Sequence, residues 1–153
     1  MITVAEINDI ERLSEFRLLW RTLWDKTRNA SFFQSLDWLE NYWHRFGAQQ
    51  KLRTLIVSVG GKPIGIVPFV VKEVPSRLGP IRALTYPLDS WGAFYGPLGP
   101  NPATTLAAAM RHISETKRDW DLIDLRYIDA EGTDRGRTQN AMRSAGLQTY
   151  RRP

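Results

Sequence analysis

Residues 32–47 read FFQSLDWLENYWHRFG, and the placement of their large rings decides how the chain is organised. Laid out as a surface strip, the aromatics would suit a sugar platform or a row of stacking bases. Wound into a helix, they bury one face in a core. Ser35 is a good N-cap, and Asp37 falls in the first turn, where the helix dipole favours negative charge. Gly47 stands where a glycine commonly ends a helix. Between these signals Leu36, Leu39, Trp43 and Phe46 recur at helical spacing as one stripe, with Trp38 and Tyr42 as a flanking row. The stretch predicts an amphipathic helix packed on a sheet.

Upstream, Ile2–Glu6 alternates apolar and polar residues as a short strand does. A helix follows from about Ile10 to Arg28, with Ile10, Leu13, Arg17, Trp20 and Trp24 on one face and Phe16 and Leu23 beside it. Asp9 can cap it, and Glu11 suits its first turn. Downstream, Leu52–Val59 and Lys62–Val71 flank Gly60-Gly61, the pattern of a β-hairpin closed by a type I′ turn. Pro63 and Pro68 weaken the second strand's ladder and point to an edge or a bulge. Ile81–Tyr86 reads as a third meander strand, followed by the turn-rich PLDSWGAFYGPLGPNP at 87–102. Asn101 as N-cap with Pro102 at the first helical position opens a helix over Ala103–Lys117. Trp120–Ile128 reads as a strand, Thr133–Ala145 as a helix ended by Gly146, and Leu147–Tyr150 as the start of a last strand. The order β-α-α-β-β-β-α-β-α-β predicts an α+β fold, a mixed sheet of about six to seven strands with helices on both faces and one right-handed crossover.

At 153 residues the chain reads as one domain, 1–153, able to bury a sizeable core. It has no cysteine, which excludes a disulfide framework, a thiolate nucleophile and any Cys-ligated metal. The N-terminal MITVAEINDIERL is not a signal peptide, and no apolar run approaches the ~20 residues that span a bilayer, so the expectation is a cytoplasmic protein. Net charge is +5, but the basic residues are scattered. The densest set, Arg135, Arg137, Arg143, Arg151 and Arg152, carries no nucleic-acid motif and reads as a solvated basic face.

The element order resembles that of the GNAT N-acetyltransferase superfamily. Within it, Phe33, Gln34, Ser35, Trp38, Leu39, Tyr42, Trp43, Phe46 and Gly47 resemble the N-terminal region of CelD/BcsL-type acyltransferases, relatives of the FemAB peptidyltransferases. The upstream helix with Phe16, Trp20 and Leu23, the hairpin segment GGKPIGIVPFVV and the later DLIDLRYI resemble the same group. Such proteins carry two GNAT-like domains in tandem, and this chain resembles the first. The resemblance therefore implies either a truncated or split relative or a stand-alone module. It implies acyl-CoA as co-substrate, no metal, and a second GNAT-like domain or a second copy of the chain as partner. It also implies a small-molecule or saccharide substrate, related to polysaccharide or cell-envelope chemistry. The rival reading is a non-catalytic module that binds a saccharide or peptide.

GNAT enzymes cradle the CoA pyrophosphate on backbone N–H groups of a Gly-rich loop that leads into a helix. The matching place here is Gly96-Pro97-Leu98-Gly99-Pro100-Asn101-Pro102, which makes Gly96, Gly99 and Asn101 the cofactor-binding candidates. Its three prolines remove amides where donors are wanted. The preceding loop, from Tyr86 to Gly96, resembles the region near the interdomain cleft of the FemAB group and makes Asp89, Ser90, Trp91 and Tyr95 the substrate-binding candidates. The alternative is a loop that covers the open end of the sheet. His44 and His112 fit no metal-ligand spacing. Asp121 and Asp124 read as strand and turn edges, and no catalytic residue stands out.

Overall fold

Gly60 and Gly61, with φ of +57° and +81°, close the turn between β2 (Lys51–Val59) and β3 (Lys62–Val74). Side-chain-free residues adopt these left-handed angles without penalty, so the two β-branched runs fold back as an antiparallel pair. The computed structural model describes residues 1–88 and 94–150. β1 (Ile2–Ile7) pairs antiparallel with β2, β4 (Ile81–Thr85) antiparallel with β3, and β5 (Leu122–Ile123) parallel with β4. The result is a five-stranded mixed sheet of order β1-β2-β3-β4-β5.

The strand count is lower than the sequence suggests. Only Leu122–Ile123 of the expected strand 120–128 forms ladder, because its neighbour β4 stops at Thr85. Residues 147–150 form no strand. β3 is central rather than an edge, yet it tolerates both prolines. A register shift at Val57/Ser58 lies beside Pro63. Ile66 exchanges both of its backbone bonds with Leu98, so Pro68, two residues on, faces the same side, where β4 has already ended at the Val70–Thr85 pair. No ladder bond is missed there.

Alternation along β2 and β3 fills two cores. Ile56, Ile66 and Val70 face Leu13, Trp20, Leu23, Leu36, Leu39 and Tyr42. These come from α1 (Ile10–Leu13), α2 (Arg17–Asp25) and α3 (Leu36–Phe46). Leu55, Val67, Phe69 and Val71 face Leu106, Ala109, Met110 and Ile113 of α4 (Pro102–Glu115), and Ala141 of α5 (Arg137–Ser144). The helix predicted over 10–28 is broken by a 3-10 turn at Ser14–Phe16. The helix predicted over 133–145 is shortened by a π-helical segment at Ala130–Asp134.

Residues 32–47 do fold inward. Ser35 caps α3, accepting from Trp38 N at 3.1 Å, and Gly47 ends it. The buried stripe is Leu36, Leu39 and Tyr42, while Trp43 and Phe46 are half-buried, so Tyr42 belongs to the core rather than to a flank. The half-buried Trp38 donates its indole N–H to Pro87 O at 2.9 Å. Trp20 and Trp24, on α2, donate theirs to Gln34 O and Ser31 O, each at 2.9 Å. The indoles thus bury their rings and satisfy carbonyls of irregular segments.

Sequence reading missed a buried ionic cluster at the far end of α4. Arg53, on β2, has a side chain only 5% exposed. It donates to both Glu6 oxygens (3.1 and 2.9 Å), to Asp119 Oδ1 and Lys117 O (3.3 Å each) and to Thr116 Oγ1 (3.0 Å). His112 Nε2 meets Glu6 Oε1 at 2.8 Å. The cluster ties β1 and β2 to the end of α4. No described helix is long and apolar enough to cross a membrane.

Candidate functional site

The site arises where β4 leaves the sheet. After Thr85 the chain departs from β3, and it returns at Leu98, whose N–H reaches Ile66 O at 2.9 Å. Asp124 N still bonds Leu84 O at 2.9 Å, and further out Tyr95 N bonds Tyr127 O at 2.8 Å. Between these points Tyr86 and Tyr95 fill the space, their rings 4.7 Å apart, with Phe69 stacked on Tyr86 at 5.5 Å. Burial pushes both phenols well above the usual tyrosine range; the charge of Asp134 adds to the effect on Tyr86.

A cavity of about 290 Å³ opens beside this plug. One wall is the connection after α2, with Lys26, Thr27, Arg28 and Asn29. The second is the segment from Phe94 to Pro102, and the third runs from Asp129 to Arg137. Gln34 braces the first two walls, its side chain donating to Gly96 O at 3.1 Å and accepting from Ser31 N at 2.9 Å. Thr27 Oγ1 accepts from Gly99 N at 2.9 Å. Gly99 has φ +113°, and a Cβ there would stand 2.2 Å from Ile64 O. Only glycine lets this loop lie so close on β3.

The third wall is held by its own carboxylates. Asp129 Oδ1 accepts from Gly132 N at 3.0 Å. Asp134 Oδ1 accepts from Thr138 Oγ1 at 2.6 Å and Thr138 N at 3.2 Å, so it caps the start of α5. Between them and α5, Arg135 takes φ +49°, uncommon for a residue with a Cβ.

The loop 96–102 is a poor anion cradle. Pro97, Pro100 and Pro102 have no N–H, and those of Leu98 and Gly99 go to Ile66 O and Thr27 Oγ1. Of the sequence-predicted residues, Tyr95, Gly96 and Gly99 line the cavity. Asn101 is exposed at the N-cap position of α4, makes no side-chain cap bond and is not part of the cavity wall. Asp89, Ser90 and Trp91 lie outside the described residues. His44 is exposed, and His112 belongs to the Arg53 cluster. Among the described residues no group of His, Asp and Glu could hold a metal. Lys26, Arg28, Asp129, Asp134 and Gln34 were not singled out for the site from sequence, and Arg135 and Arg137 were read there only as part of a solvated face.

Neither a protein-family model nor the sequence of a curated protein matches the chain. Solved structures do match it in fold. A ribosomal-protein-alanine N-acetyltransferase from Brucella melitensis biovar Abortus 2308 aligns over 100% of this chain and 99% of its own, with 13% identity and a TM-score of 0.50. A possible acetyltransferase from Clostridium difficile 630 aligns over 100% and 95%, with 9% identity and a TM-score of 0.51. The fold is GNAT-like. Within that fold the cavity lies against the segment from Phe94 to Pro102 that leads into α4.

Proposed function

We propose that this GNAT-like chain is the substrate-cleft domain of an acyl-CoA-dependent N-acyltransferase of the CelD/BcsL kind. Its cavity would form the acceptor side of a cleft that a second GNAT-like domain, or a second copy of the chain, completes. The observation that carries this reading is the state of the amides in 96–102, where a thioester donor's pyrophosphate needs N–H groups and meets three prolines and two engaged donors, with only the amides of Gly96 and Asn101 left over. The residues present do not fit that cradle, so no acyl-transfer step is assigned to them. In acyl transfer an amine attacks the thioester carbonyl, and the protein must accept the amine proton and support the oxyanion. Asp129 and Asp134, the carboxylates of the cavity, are occupied with backbone and hydroxyl donors. Both tasks are therefore left to the completing half.

Titration calorimetry with acetyl-CoA tests the reading. The chain alone is expected to give no heat of binding at micromolar ligand, and micromolar affinity would overturn its helper role. Light scattering then separates the two ways of completing the cleft, a dimer indicating a second copy and a monomer a separate domain.

A further inference from the structure

We infer that the chain carries a second binding site, at the opposite end of α4 from the cavity described above, and that its ligand is an uncharged pyranose unit. The inference goes beyond the substrate-cleft reading and does not depend on it. The site is an open cavity of about 390 Å³, within the roughly 300–1,000 Å³ of small-molecule sites. It lies between the end of β1, the start of β2, the last turn of α3 and the connection after α4. The first cavity meets α4 at Pro102, so the 14 residues of the helix, about 20 Å, separate the two.

Trp43 gives the second cavity an apolar wall. Its indole is half-buried, and the turn after α3 packs directly on it, since a Cβ at Gly47 would stand 2.5 Å from the ring. Trp20, Trp24 and Trp38 give their indole N–H groups to backbone carbonyls. That of Trp43 has no partner among the described residues. A ring fixed at a polar cavity offers its electron-rich face to C–H groups of positive partial charge, and such groups make up one face of a pyranose.

The polar groups select a ligand without charge. The five N–H donors of the buried Arg53 guanidinium are all engaged, by Glu6, Asp119, Lys117 O and Thr116 Oγ1. Each Glu6 oxygen already meets two partners, Arg53 with Asn8 at one and Arg53 with His112 at the other. An anion would find no free donor on Arg53, and a cation would face Arg53, Lys51 and Lys117 against Glu6 and Asp119. What remains is a mixed set of single donors and acceptors. Asp119 is only 12% exposed, and among the described residues its Oδ2 meets nothing nearer than Lys51 Nζ at 4.0 Å. Gln50 accepts the Tyr42 hydroxyl at 2.9 Å, while its Nε2 has no partner among the described residues. Asn8 gives its amide N–H groups to Glu6 and Leu52 O and keeps its oxygen. Hydroxyls, each donor and acceptor at once, match such a set, and a sugar ring holds them at fixed spacing.

Heteronuclear NMR of the full chain, read at the indole and backbone N–H signals, tests the site. The probes are methyl β-D-glucopyranoside, N-acetylglucosamine and cellobiose, with mannitol as an acyclic polyol for comparison. The sugars are expected to shift the Trp43 indole and the amides of 50–53 and 117–119 saturably at millimolar concentration. Mannitol, whose hydroxyls must first be ordered, should bind roughly tenfold more weakly or not at all. Trp43→Leu and Asp119→Asn should each lower the sugar affinity roughly tenfold. Phe46→Leu, on the same helix but outside the cavity wall, should leave it unchanged. Circular dichroism establishes that each variant is folded. Lys51→Met, at a 63% exposed rim position, keeps the test decisive if a buried variant unfolds, and should weaken binding severalfold. No saturable shift with any of the three sugars, an equal response to mannitol, shifts confined to the first cavity, or unchanged affinity in the folded site variants would overturn the pyranose site. None of these results bears on acetyl-CoA calorimetry, so the substrate-cleft reading stands or falls separately.

Discussion

Replacing Glu6 by Gln removes one charge from the cluster around Arg53, and its effect can be worked out from the geometry. Burial pushes the Glu6 carboxyl up, but hydrogen bonds from Arg53, Asn8 and His112 outweigh that and bring it from 4.5 to about 2. A carboxyl depressed by folding stabilises the native state above its unfolded value. That contribution fades as pH falls through the window between 4.5 and 2, because there the unfolded chain binds the proton more readily. The full shift corresponds to about 3 kcal/mol. Since 18% of the Glu6 side chain is exposed, solvent screening reduces this to about 2 kcal/mol. At neutral pH, Glu6→Gln also leaves the buried Arg53 with Asp119 as its one carboxylate. Breaking a buried pair outright costs about 3–5 kcal/mol. Gln keeps one acceptor and Asp119 stays in place, so the expected loss is about 2 kcal/mol. Urea unfolding of both proteins from pH 7 downward measures it. The parent is expected to lose stability faster below pH 4.5, and the two curves should converge toward pH 2. Curves that stay parallel through that window would show that Glu6 is not a depressed, Arg53-bound carboxylate.

Further outcomes follow from the packing around the site. Gly65→Ala places a Cβ 2.2 Å from Thr105 Oγ1 on α4 and is expected to cost about 1–3 kcal/mol in thermal or urea unfolding. Ser35→Ala removes the cap of α3 and should cost about 1 kcal/mol by the same measurement, whereas Ser35→Asp, which restores an acceptor, should recover most of it. Trp20→Phe leaves Gln34 O without its 2.9 Å partner in a fully buried place. A loss of about 2 kcal/mol is expected, with faster amide exchange over 31–34.

Sequence patterns revealed the elements whose partners are continuous. α3 and α4 repeat apolar residues on one face, and the hairpin, buried on both faces, shows as two β-branched runs about Gly60-Gly61. The misplaced elements are those set by a neighbour's end. Residues 120–128 have strand composition throughout, but a parallel ladder needs a partner, and β4 stops at Thr85. Likewise the helix expected from Thr133 begins only at Arg137, because Asp129 and Asp134 draw the preceding turn into their own hydrogen bonds. Arg53 was invisible for a related reason. It lies on the same face of β2 as Leu55, and only Glu6 and Asp119, distant in sequence, show how a charge is accommodated there.

The candidate site is legible in proportion to how local its parts are. Pro97, Pro100 and Pro102 could be read directly as missing donors, and the structure adds that the amides of Leu98 and Gly99 are engaged by β3 and α2–α3 atoms. The cations are different. Arg135 and Arg137 look like a solvated basic tail when read along the chain, and Lys26 and Arg28 look like the end of a helix. What brings them to one cavity is that Gln34 and Thr27 draw the α2–α3 connection onto the loop 96–102, opposite the start of α5. Gln34 therefore both lines the cavity and holds two of its walls together. Its position in the aromatic stretch 32–47, with its backbone oxygen on the indole of Trp20, ties the element that sets the fold to the cavity wall.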